Sequence, residues 1–126
     1  MSKNKLRTFW FLAGLTVAFS QALFAGEHPG VKAGVEEEAK VKQAAQAYIE
    51  AQVKEKGGFE INDAKLNKKW KLKFDYFHAI NKLDNGDYFF CADFTEGKDR
   101  LDLDFTFGPD LKVKNAVIHK VNGAAR

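Results

Sequence analysis

The chain has 126 residues, which suits one domain, and it carries 20 Lys and Arg residues against 17 Asp and Glu residues. Three of the basic residues and none of the acidic ones lie in residues 1–25, so the rest of the chain is close to neutral. A neutral domain does not favour a nucleic-acid partner, which binds basic surfaces, and a single cysteine, Cys91, excludes an internal disulfide framework.

Residues 1–25 have the layout of a bacterial secretory signal peptide. The segment opens with three basic residues, Lys3, Lys5 and Arg7. An apolar run over residues 9–19 follows, well short of the ~20 residues that a membrane span needs. Cleavage after Ala22 and cleavage after Ala25 both fit the small residues at the junction, and the longer spacing from the apolar run favours Ala25. We therefore expect a cleaved signal over residues 1–25, a periplasmic or secreted bacterial protein, and no stable membrane span after cleavage.

Residues 26–34 (GEHPGVKAG) are rich in Gly and contain a Pro, which predicts a flexible N-terminal lead. A chain cut after Ala25 would start with Gly26, Glu27 and His28. Its amine, two amide nitrogens and imidazole could surround an ion in one plane, a geometry that Cu(II) and Ni(II) favour. The alternative is that His28 is an exposed linker residue, because motifs this short also occur by chance.

A helix is predicted from Val35 to Lys56. Apolar residues recur there at spacings of three and four, namely Val41, Ala44, Ala45, Tyr48, Ile49 and Val53. Acidic residues occupy the first turns and lysines the last, as the helix dipole favours. Gly57 and Gly58 end the helix.

After residue 58 the apolar period changes to two, which indicates strands. The predicted strands span residues 59–63, 70–76, 88–94, 100–107 and 111–121, with turns at 84–87 and 108–110. The predicted fold class is α+β: one long N-terminal helix packed on a four- to five-stranded antiparallel meander sheet, in a single domain over residues 35–126. The apolar face of the sheet is the partner large enough to cover the apolar stripe of the helix.

The turn at Gly97-Lys98 sets the register of two neighbouring strands. A two-residue loop there pairs Tyr88, Phe90, Ala92 and Phe94 with Phe107, Phe105, Leu103 and Leu101 on one apolar face. The opposite face pairs Asp93 with Asp102 and Cys91 with Asp104. The predicted core therefore includes Phe90, Phe94, Leu103, Phe105 and Val113, packed on Val41 and Tyr48 of the helix.

The last predicted strand carries two polar residues on the core face. A three-residue loop at 108–110 would set Phe107 beside Leu111, Phe105 beside Val113, Leu101 beside Val117 and, on the outer face, Asp104 beside Lys114. Strand alternation then directs Asn115 and His119 towards the helix. Together with Tyr48 they could line a ligand pocket between helix and sheet. The alternative is a structural role, at the open end of the sheet or with buried partners.

Asp93, Asp102 and Asp104 form an acidic cluster on the predicted outer face. Facing carboxylates could bind a hard cation such as Ca²⁺, but the lysines of the neighbouring strands and the lack of a Gly-containing loop of closely spaced ligands favour a solvated face of mixed charge. The histidines and Cys91 do not have the spacing of a zinc site. The predicted register also places Cys91 and His119 on opposite faces, which argues against a nucleophilic Cys–His pair.

The segments GGFEI, YFFCADF, LDLDF and IHKVNG, in this order within residues 57–123, resemble a family of small exported bacterial proteins with no assigned activity. The order of helix and curled sheet is similar to the cystatin-like and nuclear-transport-factor-like architecture, which includes inhibitors, binding modules and some isomerases. The resemblance implies a fold and not a mechanism. The Q-x-V-x-G hairpin of cystatin inhibitors has no counterpart, because Gln52-Val53 lies in the predicted helix, so protease inhibition is not implied.

These observations favour a small exported binding module of the cell envelope, monomeric or weakly dimeric, whose ligand is an unknown protein or small molecule. We expect no catalysis, because the sequence contains no G-x-S-x-G, P-loop or dinucleotide-binding motif. One alternative is a small ligand carrier or enzyme that uses a pocket at Tyr48, Asn115 and His119. The other is copper or nickel binding through Gly26, Glu27 and His28, the one cofactor that the sequence suggests.

Overall fold

The computed structural model describes residues 29–126, and the helix and strands of this part of the chain lie within residues 31–126. In chain order they are β1 (Val31–Lys32), α1 (Val35–Lys56), β2 (Phe59–Asp63), β3 (Lys68–Lys82), β4 (Tyr88–Glu96), β5 (Asp99–Phe107), β6 (Val113–Val121) and β7 (Ala124–Ala125). The sheet order is β1-β3-β4-β5-β6-β7, and β2 pairs with the first part of β3. Each of these pairs is antiparallel.

The sheet is larger than the sequence predicted. Strands hold 52% of the described residues and the helix 22%, in a curled antiparallel sheet of six to seven strands. The predicted fold class, a helix on a four- to five-stranded sheet, was therefore wrong. β1 and β7 have two residues each, too few to show a period of two, and β3 continues to Lys82 beyond the predicted end at residue 76.

Strand β1 lies within the segment that was expected to be a flexible lead. Val31 and Lys32 pair with Lys82 and Asn81 of β3, and the Ala33 N–H donates to the Ile80 carbonyl at 2.9 Å. These bonds attach the chain to the sheet immediately before the helix. The predicted signal peptide (1–25) and the first residues of the lead lie outside the described residues. Within residues 29–126, no helix is long and apolar enough to cross a membrane.

Helix α1 has the predicted bounds, Val35–Lys56, and ends as predicted at Gly57. Gly57 adopts the left-handed conformation (φ 81°), and its N–H donates to the Val53 carbonyl at 2.8 Å. A residue with a Cβ is strained there, which is why glycine ends the helix. The predicted stripe packs on the sheet, with Val41, Ala45 and Ile49 buried.

The pairing of β4 with β5 confirms the predicted register at every pair that the sequence specified. The inner face of the sheet, the face that packs on α1, therefore holds the predicted core residues. Phe90, Phe94, Leu103, Phe105 and Val41 are buried, and Tyr48 and Val113 pack against them. Phe90 stacks on Phe105 with ring centroids 5.3 Å apart. Tyr48 of the helix lies edge-on to Phe107 of this aromatic layer, with ring centroids 6.2 Å apart.

Strand β6 departs from the predicted register. The Gly108 N–H donates to the Lys112 carbonyl at 2.8 Å, so the turn is wider than three residues and Phe107 pairs with Val113. Two irregularities, opposite Thr106/Phe107 and opposite Asp102/Leu103, then insert extra residues into β6. The neighbours predicted for Phe107, Phe105, Leu101 and Asp104 were wrong; these residues pair with Val113, Ala116, Val121 and Val117.

The first β6 bulge exchanges the two faces of the strand. Ala116 and Ile118 pack against the core, whereas Asn115 and Val117 are exposed. The second bulge falls at His119, between Ile118 opposite Leu103 and Lys120 opposite Asp102. A bulge changes the direction of a side chain without breaking the sheet. His119 consequently lies with Asp102 and Asp104 on the outer face, the face turned away from α1.

Candidate functional site

The outer face of the sheet brings together four side chains that can bind a metal ion or move a proton. Cys91 comes from β4, Asp102 and Asp104 from β5, and His119 from the second bulge of β6. One ligand atom from each residue lies within 4.8 Å of the others. We call these four residues the outer-face cluster.

Within the outer-face cluster, the Cys91 thiol donates to Asp104 Oδ1 at 2.9 Å. Cys91 is 4% exposed. Burial raises the pKa of the Cys91 thiol well above its usual range, and the hydrogen bond to Asp104 and the charges of Asp102 and Asp93 raise it further. The residue is therefore a protonated thiol at neutral pH, which does not suit a nucleophile.

Asp102 and His119 hold the polar atoms of the cluster that lack a hydrogen bond. Asp102 Oδ1 and His119 Nδ1 are shielded from solvent, and neither has a hydrogen-bond partner among the described residues. His119 Nδ1 lies 3.3 Å from Asp104 Oδ1 and 3.6 Å from Asp102 Oδ2, close enough for charge attraction but outside hydrogen-bond geometry. Burial raises the pKa of Asp102, and the nearby charges of Asp93 and Asp104 add to this rise.

Asp93, the third predicted acid of this face, belongs to a separate and fully paired network. Its carboxylate lies 2.9 Å from His78 Nε2 and 3.0 Å from Arg100, which also bonds Asp75 at 2.9 Å. Burial alone would raise the pKa of Asp93, but the hydrogen bonds from His78, Tyr76 and Arg100 outweigh it and lower the pKa below its usual value. The predicted acidic cluster is thus split in two. Both carboxylate oxygens of Asp93 have hydrogen-bond partners, whereas Asp102 and Asp104 belong to the outer-face cluster, in which Asp102 Oδ1 has none among the described residues.

The structure does not bring the three predicted pocket residues together. Tyr48 packs on the inner face, edge-on to Phe59 and Phe107, with centroid distances of 5.9 and 6.2 Å. Asn115 is exposed opposite Thr106, and His119 is on the outer face. The expectation that Asn115 and His119 face the helix, and that His119 and Cys91 lie on opposite faces, fails because of the β6 bulges.

A groove does lie between helix and sheet, at a place that the sequence did not indicate. It has a volume of about 690 Å³ and opens between the C-terminal half of α1 and the first half of β3. Apolar side chains of both elements form its walls, with polar residues at the rim: Gln46, Ile49, Glu50, Val53, Lys54, Leu72, Lys73 and Phe74. Gly57 and Gly58 close one end. We call it the helix–sheet groove.

The helix–sheet groove has a deeply buried floor and a charged rim. Ile49 and Leu72 are 3% and 1% exposed, whereas Val53, higher on the wall, is 39% exposed. Lys54 and Lys73 are exposed, and neither forms an ion pair within residues 29–126. Glu50 accepts a hydrogen bond from Gln46 at 3.2 Å. The arrangement can take an elongated apolar group and hold an anionic end near Lys54.

The sequence therefore did not predict two groupings of residues, those that line the groove and those of the outer-face cluster. The groove residues carry a weak signal, since Val53 extends the helix stripe into the last turn and Leu72 and Phe74 continue an alternating strand. No sequence pattern indicates that Cys91 and His119 lie close together, because an apolar run such as Ala116-Val117-Ile118 does not show where a bulge reverses the faces of a strand. The predicted Cu(II) or Ni(II) site at Gly26, Glu27 and His28 lies outside the described residues.

A scan against protein-family models found no match, and searches of curated proteins and of solved structures found no significant similarity.

Proposed function

We propose that this chain is a small non-catalytic binding module, exported to the bacterial periplasm or secreted, that binds a single-chain anionic amphiphile such as a fatty acid in the helix–sheet groove. The observation that carries the proposal is the groove itself. Its volume of about 690 Å³ lies within the range of about 300–1,000 Å³ that is usual for small-molecule sites.

The lining of the groove supports an apolar chain as the part of the ligand that is buried. Val53 lines the same groove as the buried Ile49 and Leu72 and remains 39% exposed. Covering such a surface with hydrocarbon removes apolar area from water, which is favourable by about 25 cal/mol per Å². A straight chain suits a groove that runs between a helix and a strand.

The charges at the rim support an anionic head group. Lys54 of α1 lines the groove, is exposed, and lacks an ion-pair partner in the described part of the chain. Lys73 of β3 alternates with Leu72 and Phe74 of the core face, so its side chain leaves the sheet on the outer face. A carboxylate beside Lys54 would be held by charge attraction and by a hydrogen bond from the Lys54 ammonium group. Glu50 on the same rim disfavours a second negative charge, so we favour a singly charged head group.

A binding role is favoured over catalysis because the polar groups of the groove stand at its rim and can orient a ligand without reaching its buried part. The proposal of export is based on the signal-peptide pattern of residues 1–25. Residues 31–126 form a compact unit of their own, so a chain that starts at Gly26 contains the whole groove.

Calorimetric titration of the chain starting at Gly26 with dodecanoate, below its micelle concentration, tests the proposal. Dodecanoate should bind at one site, and dodecyltrimethylammonium, with the same chain and the opposite charge, should bind more weakly. Val53→Glu should weaken dodecanoate binding about tenfold or more, since a tenfold change corresponds to only about 1.4 kcal/mol. Lys54→Glu should abolish or reverse the preference for dodecanoate over the cationic amphiphile.

Two control variants carry the same substitutions outside the groove. Val35→Glu places the same charge on the same helix, at a residue that is 87% exposed and outside the groove. Lys98→Glu reverses a lysine in an exposed turn. Both should bind dodecanoate like the unaltered chain. Equal binding of the two amphiphiles, or dodecanoate binding that Val53→Glu leaves unchanged, would contradict the proposal.

A further inference from the structure

The outer-face cluster contains closely spaced ligand atoms, some of which have no hydrogen-bond partner among the described residues. Three adjacent strands supply four different side chains whose ligand atoms lie within 4.8 Å of one another. Asp104 Oδ1 is central, 2.9 Å from Cys91 Sγ and 3.3 Å from His119 Nδ1. This compactness is what distinguishes the cluster from the scattered charges of an ordinary sheet face.

Two buried atoms of the cluster lack the hydrogen bonds that buried polar atoms normally make. Asp102 Oδ1 and His119 Nδ1 are both shielded from solvent and both without a hydrogen-bond partner in residues 29–126. Buried polar groups are nearly always satisfied, so each exception requires a cause. A bound cation satisfies a carboxylate oxygen and an imidazole nitrogen at the same time. The first bulge of β6 contributes to this geometry, because it exchanges the faces of the strand and so directs His119 towards the acids.

We propose that Cys91, Asp102, Asp104 and His119 bind one divalent transition-metal ion of the Zn²⁺ or Co²⁺ type. The donor set consists of one sulfur, one nitrogen and two carboxylate oxygens, which matches the ligands that Zn²⁺ takes in four-coordinate sites. Ca²⁺ is a poor match, because it requires six to eight oxygen ligands. The site is on the opposite face of the sheet from the helix–sheet groove, so the two proposals are independent.

Binding of the ion displaces one proton from the cluster. The Cys91 thiol becomes a thiolate, the S–H bond is broken, and the proton passes to solvent as the metal–sulfur bond forms. The ion also takes the place of the hydrogen bond from Cys91 to Asp104. His119 binds through the lone pair of its imidazole nitrogen.

The neighbouring group of His78, Asp93 and Asp102 does not carry a second site. His78 and Arg100 already bond both oxygens of Asp93, at 2.9 and 3.0 Å. His78 is therefore a matched control: it is a histidine of the same face with a carboxylate partner, and it lies outside the proposed ligand set.

The test is titration of the reduced chain starting at Gly26 with Co²⁺ and with Zn²⁺. Co²⁺ should produce a near-ultraviolet thiolate-to-metal charge-transfer band, which Zn²⁺ displaces. Cys91→Ser should lose that band. His119→Ala should weaken binding about 100-fold or more, because even residues that only orient metal ligands typically contribute 10- to 100-fold. His78→Ala and His28→Ala should keep the band and the affinity, which separates this site from one at the N-terminus.

The charge-transfer band of the unaltered chain is informative even if a variant fails to fold. Absence of the band at a large excess of Co²⁺ at neutral pH, with the protein folded, would overturn the proposal. So would affinities for Zn²⁺ that are equal in the unaltered chain, Cys91→Ser and His119→Ala. In that case the contacts of His119 with Asp102 and Asp104 serve only the packing of the sheet face.

Discussion

Asp63 at the end of β2 and Arg126 after β7 form an ion pair of 2.8 Å that joins the two sides of the curled sheet. β2 pairs with β3, whereas β7 pairs with β6, and β4 and β5 lie between β3 and β6. Asp63 also accepts a hydrogen bond from Trp70 Nε1 at 3.0 Å, and its side chain is 3% exposed. The pair therefore links the end of β2 to the residue that follows β7, across the curled sheet.

Asp63 should make stability depend on pH. The hydrogen bond from Trp70 and the Arg126 guanidinium lower the pKa of Asp63 below 3.8, its ordinary value, despite burial. A lowered pKa in the folded state means that the contribution is complete above the unfolded-state pKa and is lost as the pH falls below 3.8. Asp63→Asn should be clearly less stable than the unaltered chain at pH 7 in urea unfolding, and the gap should narrow below that pKa.

Asp84→Asn is the control for this measurement, because Asp84 is exposed in the turn between β3 and β4. Arg126→Ala should lower the free energy of unfolding, because it removes the same ion pair. The double variant Asp63→Asn with Arg126→Ala should lose less unfolding free energy than the sum of the two single variants' losses. The charge of Asp63 would not be involved if the difference in unfolding free energy between Asp63→Asn and the unaltered chain stayed constant down to about pH 2.

The assignment of inner and outer faces predicts opposite effects for two neighbouring strand residues. Phe105 is 1% exposed and contacts several aromatic rings, so Phe105→Ala should cost about 3–5 kcal/mol of unfolding free energy. Asp102→Asn, measured without metal, should cost little or increase stability. The pKa of Asp102 is raised in the fold, so its ionisation at neutral pH opposes folding and the amide removes that effect. Equal melting temperatures for the two variants would contradict the face assignment.

The hydrogen bond between Cys91 and Asp104 predicts the reactivity of the thiol. Burial and Asp104 both raise the pKa of Cys91, so the unaltered chain should react slowly with iodoacetamide at pH 8 in the presence of a chelator. Asp104→Asn removes a negative charge from the thiol and should increase the rate of alkylation at the same pH, as followed by mass spectrometry. Asp84→Asn removes a charge elsewhere and should not change it. If Asp104→Asn reacted no faster, the contact would not control the thiol.

The signal-peptide pattern predicts the start of the exported protein. An apolar run over residues 9–19 is too short to anchor the chain, so the leader should be removed after Ala25. Mass spectrometry of protein recovered from the periplasm or medium should find an N-terminus at Gly26. A stable exported product that begins at Met1 would contradict the export proposal.

The sequence was sufficient for the parts of the fold in which alternation and turns are regular. The stripe from Val41 to Val53 and the glycines after Lys56 determined both ends of α1, and the turn at Gly97-Lys98 determined the whole register of β4 against β5. Both depend on local chemistry, namely a helix stop signal and a two-residue turn. For the same reason the core residues on the inner face could be predicted.

The remaining features depend on irregular backbone geometry, for which the sequence has no distinct signal. Leu111 adopts a positive φ of 64° in the turn before β6, and no glycine or asparagine occupies that position to indicate it. In the run Ala116-Val117-Ile118 every residue is apolar, so either face could be the inner one. The outer-face cluster was missed for this reason. The groove was missed because it depends on where a helix lies across a sheet.

Binding of an anionic amphiphile in the helix–sheet groove can be followed residue by residue in an NMR titration of the ¹⁵N-labelled chain starting at Gly26 with dodecanoate. Amide shifts should change together, with one affinity, around residues 49–54, at Gly57 and Gly58, and around residues 72–74. The amides of Cys91, Asp104 and His119, on the opposite face, should not move. Changes centred on the outer face, changes spread over the exposed lysines, or no changes at all would contradict the account.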